Sequence, residues 1–154
     1  MKIAVNDHYS GTYLAAIIVI KYMVEVSAGI VVKNGKILCM QRKASKFSYI
    51  SEKFEFPGGK VEPGEDPKGA LIREFEEELD ADLSDSKIDY LCSVSHDYPD
   101  FSIKMHVFVV SDDNFSFVMK EHISNQWLDS KNLSNLDWAE ADREIIDKVR
   151  DYLE

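Results

Sequence analysis

The chain is short of cysteine, short of positive charge and without an apolar run long enough to cross a bilayer. Its two cysteines, Cys39 and Cys92, lie in apolar stretches with no CxxC pair and no zinc spacing. A disulfide framework is excluded, and two free thiols fit a reducing cytoplasm. The 18 lysines and arginines are outnumbered by 28 aspartates and glutamates, for a net charge of −10. That argues against a nucleic-acid partner, since phosphate-backbone contacts need a basic surface. No membrane partner is expected either. The apolar run Tyr13–Ile20 (YLAAIIVI) falls far short of the roughly 20 residues that span a bilayer. Only Lys2 precedes it as a cation, and Asp7 intervenes, so it makes a poor signal segment. His96, His106 and His122 have no ligand spacing, and no EF-hand loop is present. Zinc and calcium sites of those kinds are not expected.

What remains is a single domain of 154 residues, 45% hydrophobic, enough for a full core. Residues 24–33 (VEVSAGIVVK) predict a largely buried strand, Asn34-Gly35 a tight hairpin turn and residues 36–42 the return strand. A polar loop over 43–53 leads to a short strand at 54–56 and a Pro57-Gly58-Gly59 turn. Asp66 is a good N-cap with Pro67 at the first helical position. Strands are expected at 88–96, 103–110, 115–119 and 124–128. A C-terminal helix over 139–152 should bury Ile145, Val149 and Tyr152 or Leu153.

The central helix is unusual in its acids: Glu74, Glu76, Glu77, Glu78 and Asp80. Stacked like charges weaken a helix, so another cause is needed. At about 100° per residue, Leu71, Phe75 and Leu79 form an apolar stripe. Glu78 lies about 20° off Leu71, Glu74 about 60° and Glu77 about 120°, while Glu76 points to water. Three carboxylates therefore converge at the margin of a buried face. A divalent cation offsets the cost of burying them, and all-oxygen ligands suit Mg²⁺ or Mn²⁺.

The stretch GGKVEPGEDPKGALIREFEEELDA resembles the Nudix box, G-x5-E-x7-R-E-U-x-E-E-x-G-U with U apolar. Gly59, Glu65, Arg73, Glu74, Phe75, Glu77 and Glu78 fall in register. Asp80 replaces the box glycine, and Ala81 is a small residue at the last apolar position. Aspartate tolerates the left-handed conformation that glycine would supply. The phrase KFEFPGGKVEPGE is similar to the MutT branch.

The resemblance implies an α/β fold, the Nudix α/β/α sandwich with a mixed sheet between helices. It covers a domain over 23–154, leaving residues 1–22 as an extension, an extra strand or short helix packed on that domain. It implies metal ligation by the Gly59 carbonyl, Glu74, Glu77, Glu78 and, outside the box in KEHISNQW, Glu121. Catalytic roles fall to Glu74, Arg73 and Glu77, with Arg73 orienting Glu74 and Glu65 structural. The segment LDWAEADREII is similar to the base-reading motif of the MutT-like and CTP-pyrophosphohydrolase-like branches, which puts Asp142 at the base edge. MutT itself has asparagine there, and an arginine where this chain has Phe101. Arg42 and Lys43 are candidates for the phosphates, and Phe56 for substrate contact. The activity implied is Mg²⁺-dependent (Mn²⁺ as substitute) cleavage of a nucleoside triphosphate to monophosphate and pyrophosphate. The substrate would be 8-oxo-dGTP or a cytidine-type triphosphate. Another nucleoside diphosphate derivative such as ADP-ribose, and a non-catalytic nucleotide-binding module, remain alternatives. A monomer or homodimer is expected.

Overall fold

A computed structural model describes residues 2–9, 12–19 and 22–154, the first two segments as backbone strands. These are β1 (Lys2–Tyr9) and β2 (Thr12–Val19), an antiparallel pair in a sheet of their own. The expected packing of residues 1–22 on the domain lies outside the described residues.

The main sheet is built on β3 (Met23–Lys33), whose run from Ser27 to Val31 is buried. Asn34 and Gly35 both take positive φ, 50° and 77°, and return the chain into β4 (Lys36–Gln41). Two left-handed residues give the turn a twist that matches a hairpin. Then come β5 (Phe54–Glu55), β6 (Gly58–Lys60), helix α1 (Pro67–Leu79), β7 (Lys87–Asp97), β8 (Ser102–Ser111) and β9 (Ser124–Leu128). The strand order is β5-β4-β3-β8-β7, with β6 also on β3 and β9 on β4. Only β3 and β8 run parallel, so the sheet is mixed, as expected.

Alternation along the central strands feeds two cores. Val31, Leu38, Met40, Phe108 and Val110 meet Leu71, Phe75 and Leu79 of α1 on one face. Ile30, Ile37, Cys39, Val107 and Val109 meet Leu133, Trp138, Ile145 and Val149 on the other. Leu133 comes from a 3-10 segment (Ser130–Asn135), Trp138 from the link that follows it, Ile145 from the break between two short helices, α2 (Glu140–Arg143) and α3 (Ile146–Leu153), and Val149 from α3. Central strands buried on both faces read as continuous apolar runs, which is what β3 and β8 show.

Several expectations change. The glycine pair is not a turn but the strand β6, because it must lie flat against β3. Residues 115–119 form no strand. Phe115 instead packs edge-on against Phe75 at 6.1 Å and stacks on Phe117 at 5.8 Å, so its apolar surface is buried under the helix rather than in the sheet. The C-terminal helix is interrupted at Glu144–Ile145. Ile145 and Val149 are buried, but Tyr152 and Leu153 are exposed, and the Tyr152 hydroxyl donates to Asp89 at 2.8 Å.

Candidate active site

Helix α1 is fixed at both ends by local chemistry. Asp66 accepts from the Gly69 N–H at 2.6 Å, satisfying one of the free donors of the first turn. Asp80 ends the helix at φ 48° and ψ 31°, and its N–H bonds back to the Glu76 carbonyl. With Leu71, Phe75 and Leu79 buried, Glu74 and Glu78 turn toward β6. The two glycines there serve two close approaches. A Cβ on Gly58 would lie 1.9 Å from the Ser27 carbonyl oxygen, and one on Gly59 2.3 Å from the Glu74 carboxyl.

Arg73 is the hub behind these acids. Its Nε and Nη2 donate to the two oxygens of Glu65 at 2.8 and 2.9 Å, and Nη2 also reaches the Lys60 carbonyl at 2.9 Å. Nη1 donates to Glu74 Oε1 at 2.8 Å and to Glu77 Oε2 at 3.1 Å. A bidentate guanidinium holds both orientation and charge. The Arg73 hydrogen bonds, with the Glu62 backbone N–H, pull the Glu65 carboxyl down to about 2. The Glu65 and Glu74 carboxylates in turn raise the Arg73 guanidinium above its ordinary value.

One cavity of about 750 Å³ runs past the acids. Gly59, Glu74, Glu78 and Glu121 line it together with Arg42, Lys43, Phe56 and Asp142. Burial raises the Glu78 carboxyl, and the Glu74 charge and hydrogen bond and the Glu121 charge add to it. Lys43 holds Glu121 at 3.1 Å. Glu77 is the exception: its side chain is 60% exposed, paired with Arg73 and away from the cavity wall.

Asp142 is 4% exposed, and its Oδ1 accepts the Phe56 N–H at 3.0 Å. Burial raises its carboxyl well above the ordinary range, and the nearby Glu55 charge adds to this. Glu55 behaves oppositely. Burial pushes it up, but the His122 hydrogen bond and the Arg42 charge outweigh that and hold it ionised. Arg42 Nη1 donates to Glu55 Oε2 at 2.9 Å, and His122 Nε2 lies 2.9 Å from Glu55 Oε1. Phe56 packs on Trp138 at 4.5 Å between ring centres. Tyr98 and Phe101, 5.2 Å apart, complete an aromatic wall. Sequence reasoning missed Glu55 and His122. Both stand inside phrases that resemble the family, KFEFPGG and KEHISNQW, but only the pairing of β5 with β4 and of β9, just after His122, with β4 brings them together.

Among the described residues, no three acid, histidine or cysteine side chains already stand close enough to ligate one ion. The donor chemistry nevertheless fits a divalent cation. Glu74 and Glu78 press against each other in a half-buried cleft, and Gly59 leaves Glu74 room that a side chain would fill.

A mixed sheet between helices, with one cleft lined by both acids and aromatic side chains, is the fold and site to be placed among known proteins. Residues 23–149 match the family model described as NUDIX domain. The CTP pyrophosphohydrolase of Escherichia coli (strain K12) is 33% identical over 125 residues, 81% of this chain and 90% of that protein. The 8-oxo-dGTP diphosphatase of Proteus vulgaris is 34% identical over 93 residues, 60% of this chain and 80% of that protein. Among solved structures, the MutT protein (family Nudix hydrolase) from methicillin-resistant Staphylococcus aureus 252 superposes with a TM-score of 0.66 at 32% identity. The match covers 86% of this chain and 99% of that one. A MutT protein from Methanosarcina mazei Go1, at 19% identity and a TM-score of 0.74, shares the fold over 87% of this chain and 98% of that one. The chain belongs to the Nudix family and is a hydrolase of it. Nudix hydrolases act on small nucleotide substrates and generally use a divalent metal. No helix among the described residues is long and apolar enough to cross a membrane.

Proposed function

We propose that this enzyme is a Mg²⁺-dependent nucleoside triphosphate pyrophosphohydrolase that clears an unwanted nucleotide, releasing monophosphate and pyrophosphate. The observation that carries this reading is one cavity lined by Glu74, Glu78 and the buried Asp142 together. Glu74, Glu78, Glu121 and the Gly59 carbonyl would hold the ions, joined by Glu77 once it leaves Arg73; Mn²⁺ would serve as substitute. Bound divalent ions supply neutralisation of the phosphate charge and polarisation of a water. Arg73 fixes one oxygen of Glu74, so the other is presented to that water as proton acceptor. Lys43 and Arg42 flank the route to the phosphates. Phe56, with Trp138 behind it, offers a face for a base.

Asp142 selects the base. A neutral carboxyl both donates and accepts, which suits an oxidised purine such as 8-oxoguanine. An ionised one only accepts, which suits the cytosine amine. Burial of Asp142 supports the first substrate, 8-oxo-dGTP. Likeness to a CTP pyrophosphohydrolase across 90% of that protein supports a cytidine-type triphosphate as the second. The acidic surface fits a free nucleotide rather than a nucleic acid as substrate, and the free thiols of Cys39 and Cys92 fit the cytoplasm. The hydrolase domain is read as 23–154, acting as a monomer or homodimer.

Pyrophosphate release with Mg²⁺ is the test, across the common dNTPs, CTP, 5-methyl-dCTP and 8-oxo-dGTP, with products of ADP-ribose also analysed. Preference for 8-oxo-dGTP supports the first substrate, and preference for cytosine nucleotides the second. Silence across all triphosphates would overturn the reading. Asp142→Ala should change the ranking of substrates more than the rate with a poor one; a uniform loss would make Asp142 structural.

A further inference from the structure

The family motif has a glycine where this chain has Asp80, and the cleft chemistry makes no use of that carboxylate. Its backbone closes α1 in the left-handed conformation. Its side chain reaches further: Oδ1 accepts from Lys120 Nζ at 2.6 Å. The same ammonium donates to the Glu77 carbonyl at 3.2 Å, in the last turn of α1, where carbonyls lack intrahelical donors.

Lys120 immediately precedes Glu121. The segment around them has little else to hold it. Residues 116–123 lie outside any helix or strand, and Val118, Met119 and Ile123 are 53%, 39% and 48% exposed. Apolar contact fastens the segment at Phe117, which packs on Phe115 and Trp127, and not beyond it. From there on polar contacts hold it: the Val118 N–H to the Leu79 carbonyl at 2.7 Å, Lys120 to Asp80, His122 to Glu55, and the Ile123 N–H to the Gln41 carbonyl at 3.0 Å, with Glu121 itself also paired to Lys43 at 3.1 Å. Glu121 is carried between the second and third of these anchors and reaches the cavity that Glu74 and Glu78 line.

We infer that Asp80 is a positioning residue: through Lys120 it tethers the Glu121 loop to the end of α1 and keeps that carboxylate within reach of Glu74 and Glu78. Glycine at the same φ would preserve the helix end and remove the tether. The inference rests on the proposed role of Glu121 as a metal ligand.

The test compares the wild-type chain with Asp80→Gly, Asp80→Asn, Lys120→Met and the Asp80→Gly/Lys120→Met double variant. Amide hydrogen exchange over 116–123 is measured without metal, and Mn²⁺ binding by titration of the free-ion EPR signal without nucleotide. The tether predicts faster exchange in that segment and a half-saturating Mn²⁺ concentration raised roughly two- to fivefold, the range for a partly exposed ion pair. The double variant should lose no more than either single one, and Lys120→Arg should stay near wild type. Wild-type exchange in Asp80→Gly, or losses that add in the double variant, would overturn the inference. Glu121→Gln separates the two claims. If it leaves Mn²⁺ binding unchanged, the ligand role of Glu121 falls, and the exchange data still decide the tether. If it weakens binding while Asp80→Gly does not, the tether alone falls.

Discussion

Glu74 is held by Arg73, which ties one oxygen at 2.8 Å, and its carboxyl occupies the space that a side chain on Gly59 would need. Glu74→Gln should therefore reduce kcat by about 10²- to 10⁴-fold, the usual contribution of a positioned proton acceptor. The melting temperature should hold or rise, since a like-charge contact with Glu78 is removed; a normal kcat would remove Glu74 from the chemistry. Asp142 gives a pH signature. Its carboxyl is raised in the fold by burial and by Glu55. Below the unfolded value of about 3.9 both states hold the proton and nothing is lost. Above it the unfolded chain ionises first, so stability falls until pH passes the folded value. Asp142→Asn, always neutral, should raise the melting temperature at about pH 8 and lose that advantage near about pH 3. A gain independent of pH would assign the effect to packing. The sequence exposed Glu74 and Asp142 through motif spacing alone. It could not expose Glu55, whose partners Arg42 and His122 come from separate strands and loops, nor the outward pairing of Glu77, which follows from the reach of Arg73.

Strand β6 and helix α1 form the element on which the acids depend. Two backbones meet at Gly58, where a Cβ would stand 1.9 Å from the Ser27 carbonyl oxygen. Gly58→Ala should push β6 off β3 and cost about 1–3 kcal/mol or more. For a chain of this size that lowers the melting temperature by roughly 2–4 °C per kcal/mol. Unchanged melting would show that β6 yields without loss. Helix α1 was legible from end to end because each of its signals is local: Asp66, Pro67, the Leu71-Phe75-Leu79 stripe and Asp80 all act within a turn or two. The stretch 115–119 was misleading for the opposite reason. Its alternating aromatics fit a strand, and nothing in the segment itself says that Phe75 and Trp127 will receive Phe115 and Phe117 instead.

The whole molecule carries ten more negative than positive charges, and two of its acids, Glu74 and Glu78, meet in the cleft. A divalent ion that binds only the folded chain should stabilise it. At a hundredfold excess over its dissociation constant the gain is about 2.7 kcal/mol, or roughly 5–10 °C in melting temperature. Calorimetry with Mg²⁺ and after EDTA checks this. EDTA should also abolish turnover, and melting indifferent to the ion would count against a preformed site.

The parallel pairing of β3 with β8 also bears on how the molecule comes into being. Strands of this kind cannot zip from a hairpin; Ser27 must wait for His106, and the Phe56 N–H for Asp142, 86 residues downstream. A nascent chain therefore releases its acidic helix from the ribosome well before β8, the parallel partner of β3, and the helices that cover the second core exist. Such long-range closure places this fold among the slower-folding topologies, with apolar strands open to misassociation while synthesis continues. Truncation before Trp138 would remove not a tail but the last piece that completes the cleft, leaving a chain that is synthesised in most of its length and enzymatically unborn.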